Sequence, residues 1–347
     1  MSAIVVDPAG ARSSLMARAR WIDRPITDIA VAFSWLPVAL LQHSFESDPH
    51  KVKTLLGLAF LVSFLHQPLT LGLVYGDKVV FNARRAMYTW TPLVAVAAVL
   101  IGLNVSLALV AVVAGVWNAQ HTLMQRYGLT RIYGRKAGDD NGRVEKWMYM
   151  TWLAAAMVWV AADKRTPGLV EKADLGEVNR KGVQIMQDLR PVALWLVAPL
   201  AVAAVVLAIK WLRAERALGL RANPAKHVYV AGTAALIIAI VIDPLAGFTA
   251  YVATHAVEYF VTVHRSLRNR PADESAVAAA TSTRSRRTGV YVAYFAVVGA
   301  FSWACLHYEW FGAYRMAVMV FGALHIFYDG FIWKLRRPRV ASTLGLA

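Results

Sequence analysis

The chain is 347 residues long, 58% apolar and only 17% charged, with a mean hydropathy of +0.46. Those proportions exclude an ordinary soluble protein, and the formal net charge of +16, which in a soluble chain would suggest nucleic acid, has a second explanation in membrane topology. Cys305 is the single cysteine, which excludes a disulfide framework and a thiolate metal site.

Residues 1–27 carry four arginines, and the apolar run that follows ends at Gln42, His43 and Ser44 with no small-residue cleavage pattern. It is therefore expected to be a retained first span, not a signal peptide. Apolar runs approaching the ~20 residues needed to cross a bilayer continue to Trp333. In order they are 28–43, 54–75, 91–102, 104–123, 147–161, 191–210, 227–242, 247–264, 289–305 and 313–333. The stretch 91–125 is too long for one span at ~1.5 Å per residue, and Gly102-Leu103-Asn104 favours a turn there. Asp243-Pro244 separates the seventh and eighth spans, because proline disfavours helix at the residue before it. The fold class is thus all-α: one polytopic transmembrane helical bundle of about ten spans over 28–334, with an N-terminal segment at 1–27 and a tail at 335–347.

Lysine and arginine enrich cytoplasmic loops. With the N-terminus inside, cytoplasmic segments hold 28 of the 37 lysines and arginines. The one basic outer segment, 162–190, also carries Asp163, Glu171, Asp174, Glu177 and Asp188 and reads as a long mixed-charge loop. Both termini are predicted cytoplasmic, in a protein of the bacterial inner membrane.

Ionisable residues inside a span are expensive, at roughly 2.5–3.5 kcal/mol each on insertion scales, so each needs a reason. They are His66 on the second span, His121 on the fourth, His255, Glu258 and His264 on the eighth, and His325 with Asp329 on the tenth. His325 and Asp329 are four apart and share a helix face; His255 and Glu258, three apart, can present imidazole and carboxylate to one metal. His264 falls half a turn away from His255. Ser63, His66, Gln67 and Thr70 form one polar stripe, and Asn118, His121 and Gln125 another. All four spans run in the same direction, and counting back from their ends places His66, His121, His255, His325, Glu258 and Asp329 in the cytoplasmic half of the bilayer.

A lone intramembrane histidine commonly hydrogen-bonds between helices, but four histidines and two carboxylates at one depth point to a metal. The expected ligands are His66, His121, His255 and His325, with Glu258 and Asp329 ligating, orienting the imidazoles or serving as catalytic groups. Imidazole and carboxylate together suit one or two non-haem irons, and also zinc or manganese. His43, His50, His227 and His307 are placed at loops or boundaries. The stretch 125–136, which interleaves bases with tyrosines, reads either as a positive-inside loop or as a basic mouth that holds an anionic headgroup or docks a redox partner.

Two segments, 251–265 with His255 and His264 and 324–336 with His325 and Asp329, resemble the Brp/Blh family of membrane β-carotene dioxygenases. The resemblance implies a helical membrane fold in which histidines from separate helices hold a catalytic iron. The chain differs from that pattern in three respects. Glu258 or Tyr259 stands where the family has a second histidine on that helix, the family's first-helix histidine would correspond to His43, and there are more spans. The His-x-x-His-His boxes of fatty acid desaturases are absent. The expected function is an iron oxygenase that applies dioxygen to an apolar, membrane-borne carotenoid, isoprenoid or acyl chain. The alternative is a transporter or proton-coupled channel that uses the same His/Asp/Glu cluster as a relay. Bis-histidine haem ligation is a third option. Reporter fusions check the topology: fusion at Asp48 should report outside and fusion at the C-terminus inside.

Overall fold

A computed structural model describes residues 20–139, 142–173, 181, 183–185 and 187–346. Asp174 and Glu177 of the mixed-charge loop, and 1–19 of the N-terminal segment, lie outside the described residues. Within them the chain is helical throughout, with no strand. The helices are α1 (Pro25–Ala32), α2 (Trp35–Ser44), α3 (Pro49–His66), α4 (Leu69–Tyr75), α5 (Lys78–Asn82), α6 (Arg85–Val105), α7 (Leu107–Lys136) and α8 (Arg143–Ala162). There follow α9 (Thr166–Ala173), α10 (Arg190–Leu218), α11 (Pro224–Ile242), α12 (Pro244–Arg268), α13 (Ala276–Ala280), α14 (Arg284–His307), α15 (Phe311–Ile332) and α16 (Pro338–Thr343).

Eight helical stretches among the described residues are long and apolar enough to cross a membrane. They are α1 with α2, α3 with α4, α6, α7, α10, α11, α14 and α15. The protein is an integral membrane protein. Helices α8 and α12, 20 and 25 residues long, coincide with the fifth and eighth expected spans but are less apolar. The reason is visible for α12: it is buried along most of its length and packs against α2, α3, α7 and α11, so protein covers the side chains that lipid would otherwise meet.

Polar caps set the boundaries. Asp48, Ser106, Asn223 and Asp243 each accept a backbone N–H from the first turn of α3, α7, α11 and α12. A proline follows three of these caps as the first helical residue, where its missing N–H is not needed. The expected Asp243-Pro244 break is present. The break expected at Gly102-Leu103-Asn104 lies further on: α6 continues to Val105 and the extended residue is Ser106. Glycine here serves packing, since a Cβ on Gly102 would meet Val110 Cγ2 at 2.6 Å, and Asn104 returns its amide to Leu100 O at 2.8 Å. The fourth span is likewise longer than 104–123, because α7 runs on to Lys136 and buries Arg126 and Arg131.

Loop contacts fall into two sets. In one, Arg20 N donates to Asn223 Oδ1 at 3.0 Å, Arg270 reaches Asp77 at 3.0 Å, and Asn269 donates to Thr343 O at 2.9 Å. Arg268 lies 2.8 Å from Asp23, and its hydrogen bond holds the Asp23 carboxyl below the usual range. In the other set, His43 donates to Asp243 at 2.8 Å, and Trp159 and Arg165 donate to Val241 O and Ile242 O at 3.0 and 3.2 Å. The tail is not free: Thr343 and Leu344 are buried, and Leu344 packs with Leu129 and Ile132 of α7.

The turn between α11 and α12 requires Gly247. A Cβ there would stand 2.4 Å from Ile240 Cα and 2.5 Å from Ile240 N, backbone atoms that cannot rotate away. Gly247→Ala should lower stability by about 1–3 kcal/mol in thermal unfolding of the detergent-solubilised protein. Gly57→Ala, where no atom lies within 4 Å of the added Cβ, should be neutral or stabilising.

Candidate metal centre

Helix α3 ends at His66 because Pro68 has no N–H to continue the helical hydrogen bonding, although Gln67 keeps helical backbone angles and donates to Phe64 O. The bend places His66 and Thr70 on either side of it, and both reach His325 of α15. His66 Nε2 lies 3.1 Å from His325 Nε2, while Thr70 Oγ1 lies 2.7 Å from His325 Nδ1. His121 of α7 brings its Nε2 to 3.1 Å from the same His325 Nε2. His255 of α12 closes the group, with ring centroids 4.6 Å from His66 and 5.0 Å from His121. Four helices distant in sequence therefore bring together all four histidines singled out in the sequence. His66, His255 and His325 are each 1% exposed and His121 is 9% exposed.

Asp329 lies beside this group. Thr70 Oγ1 and Tyr259 Oη each stand 3.1 Å from Asp329 Oδ1 and can donate to it. Thr70 has one proton; given to Asp329, it leaves the Thr70 oxygen as acceptor for His325 Nδ1–H. That chain assigns the His325 tautomer and leaves its Nε2 lone pair facing His66 and His121. Asp329 Oδ2 is 3.8 Å from His121 Nε2 and 3.7 Å from His325 Nδ1. Its contacts suit a group that orients imidazoles through Thr70.

Glu258 does not join the imidazoles. Three residues from His255, it points to the flank of α12 that meets α7 and α11, where Arg126 Nε and Nη2 and Tyr229 Oη all reach Oε1 at 2.8 Å. Gln125 adds a bond to Oε2 at 3.3 Å. Arg126 Nη2 also donates to Ala32 O at the end of α1, at 3.0 Å. The reading of Glu258 as ligand or catalytic group therefore gives way to an ion pair that joins helices. The sequence reading missed Arg126 and Tyr229; Arg126 fell in the stretch taken for a basic loop. The signal that could have found them is helical spacing, since Gln125 and Arg126 follow His121 by about one turn. His264 bonds Tyr291 at 3.3 Å, His227 bonds Glu215 at 2.9 Å, and His307 stacks on Trp303 at 4.7 Å. His43 is engaged with Asp243, and none of these four takes part in the imidazole group.

The donor set fits a metal ion. His66, His255 and His325 each offer a nitrogen within 4.8 Å of the others, and two nitrogens from His121 and His325 and a carboxylate oxygen of Asp329 lie equally close together. Two nitrogens each ~2.1 Å from one ion stand roughly 3.0–3.4 Å apart, the range of the two observed Nε2 separations. Hydrogen bonding alone leaves the group poorly satisfied: both His255 ring nitrogens are buried without a partner, a costly condition for polar atoms away from water.

A second buried cluster shows the contrast. Asp139, Glu145 and Glu215 also converge, but Lys226 sits among them, 2.9 Å from Asp139 and bonded to Glu145 and Glu215. Arg131 adds contacts of 2.8 Å to Glu145 and 3.1 Å to Asp139. Burial pushes the Asp139 carboxyl up, yet Lys226 and Arg131 outweigh it and hold it below its usual range. That acidic cluster already has its cation in a side chain.

Against known protein families, curated proteins and solved structures, the chain has no match.

Breaking the buried Arg126–Glu258 pair from one side strands a charge, which typically costs about 3–5 kcal/mol. Arg126→Met and Glu258→Gln should each cut the yield of folded, monodisperse protein, with Arg126→Met the more damaging. The double variant Arg126→Met/Glu258→Met should recover part of the loss in size-exclusion and thermal-unfolding assays.

Proposed function

We propose that the protein is an integral membrane oxidoreductase that holds non-haem metal, iron before zinc or manganese, and uses dioxygen on an apolar substrate resident in the bilayer. One observation carries this reading: four imidazoles from four helices meet in a buried group, and both ring nitrogens of one of them, His255, have no hydrogen-bond partner. The likeness of the His255 and His325 segments to membrane carotenoid dioxygenases supports it. In the same reading the chain has ten spans, with α8 and α12 counted among them, and the loop set that includes Arg20, Arg268 and the C-terminal tail faces the cytoplasm of a bacterial inner membrane.

The protein's own groups have distinct tasks here. His66, His121, His255 and His325 are the residues that would hold the ion, and iron held by imidazoles supplies the means to activate dioxygen. Thr70 and Asp329 fix His325 with Nδ1 protonated, so that its Nε2 is available as a donor. Tyr259 Oη, 2.5 Å from Thr70 Oγ1, completes a hydroxyl pair that can hold or pass a proton beside the imidazoles. Leu324 and Tyr328 flank His325 and are buried, which limits water at the site.

Elemental analysis of the purified, iron-replete protein tests this reading. Wild type should carry iron, and Asp329→Asn and Thr70→Val should lower its affinity by ~10–100-fold, with His325→Ala losing it. A wild type that holds no metal would overturn the reading and leave the cluster as a proton relay of the transporter kind.

A further inference from the structure

A cavity of about 640 Å³ runs beside α7 from the metal centre to the protein surface, within the ~300–1,000 Å³ range of ligand sites. Its inner end is formed by His121, Tyr259 and Asp329, and its walls include Met124, Leu129, Leu335 and Leu344. Its outer end is basic: Arg135, Arg143, Lys146, Lys334 and Arg336 all line it, and Arg143, Lys146, Lys334 and Arg336 are exposed. Arg131 also reaches the lining but is committed to Glu145 and Asp139.

The charges are arranged by position. Among the described residues Asp329 is the only carboxylate on the lining, and it lies at the inner end. An anion is thus disfavoured beside the imidazoles and favoured at the mouth. Arg135 follows His121 by fourteen residues on one helix and Lys334 follows His325 by nine at the end of another, which at ~1.5 Å per residue separates mouth from centre by ~13–21 Å. A small free anion held at the mouth does not reach the imidazoles. A molecule that touches both ends needs an anionic head and a long apolar tail.

The geometry points to an anionic amphiphile, with a carboxylate or phosphate head and an acyl or isoprenoid tail, as the ligand of this cavity, seated with its head among Lys334, Arg336, Lys146 and Arg143 and its tail directed at His121. This rests on the oxidoreductase reading for its chemistry and refines it: the bond presented to the metal centre lies in the tail, and uncharged hydrocarbons are the poorer class. The basic residues serve to select and orient substrate as well as to bias topology.

The test is equilibrium binding of radiolabelled oleyl phosphate to the purified full-length protein, competed with oleate, oleyl alcohol and inorganic phosphate, with bound metal measured on the same samples. Oleyl phosphate and oleate should bind at least about tenfold more tightly than oleyl alcohol, and Lys334→Gln/Arg336→Gln should remove most of that difference while leaving alcohol binding and metal content unchanged. Lys146→Gln, on a different helix, should act in the same direction. Displacement by phosphatidylglycerol vesicles but not phosphatidylcholine vesicles supports the proposal and assigns the ligand to bilayer lipid. Displacement by inorganic phosphate alone at matching concentration, or equal binding of the alcohol, overturns it. If head-group selectivity is absent while iron is retained, only this proposal fails; if selectivity is present and metal is absent, only the oxidoreductase reading fails.

Discussion

An arginine and a glutamate locked together out of reach of solvent, Arg126 on α7 and Glu258 on α12, hold the frame on which the histidine cluster depends. Both side chains are 0% exposed. Desolvating two charges is expensive, and the pair is tolerated because three 2.8 Å contacts converge on Glu258 Oε1 while Arg126 spends a further donor on Ala32 O. The result is a junction of α1, α7, α11 and α12. It also fixes register: slipping α7 by one residue against α12 would shift His121 by ~1.5 Å along the axis and ~100° around it, removing it from His255 and His325. The histidines need no attraction for one another to assemble; the ion pair a turn away sets where they stand.

Two buried clusters of potential ligands occupy this bundle, and their chemistry differs in one respect. Asp139, Glu145 and Glu215 surround Lys226, so their charge is neutralised by the chain itself and the group acts as a clamp between α8, α10 and α11. The four imidazoles have no such partner: Arg126, the cation closest to them in sequence, is taken by Glu258, and His255 has both nitrogens without a hydrogen bond. Neutral lone pairs directed at one another suit a shared cation, whereas carboxylates around an ammonium already have one. This difference makes the histidine cluster, rather than the acidic one, the candidate metal site.

Much of this was legible in the sequence because helical periodicity converts spacing into direction. His325 and Asp329 at four apart share a face, and the Asp243-Pro244 break announces itself by a cap and a proline. What escaped was pairing across helices. Glu258 is three residues from His255 and looked like a second ligand, since its true partner lies more than a hundred residues earlier in a stretch rich enough in arginine to pass for a loop. Gly102 was taken as a turn for a similar reason: a glycine that admits a neighbouring valine and a glycine that bends the chain are the same letter. Thr70 stood out as part of a polar stripe, but its place between His325 and Asp329 follows from the bend at Gln67-Pro68 and the approach of α15, which no local pattern encodes.

The most enclosed of the long helices illustrates the underlying constraint. In lipid every polar group must find its partner inside the protein, so polar side chains collect on the helix that other helices enclose. Helix α12 carries His255, Glu258, Tyr259 and Thr254, all buried. It meets α2 through a Thr254–Ser34 hydroxyl contact, α7 and α11 through Glu258, and α15 through the Tyr259–Asp329 bond. Each of those polar side chains lowers its hydropathy, which is why it falls outside the group of eight spanning candidates. The same side chains require the neighbours that bury it. The polar side chains of this helix and its central position are thus two effects of one cause, since the groups that keep it below the hydropathy of the spanning candidates are the ones its neighbours satisfy.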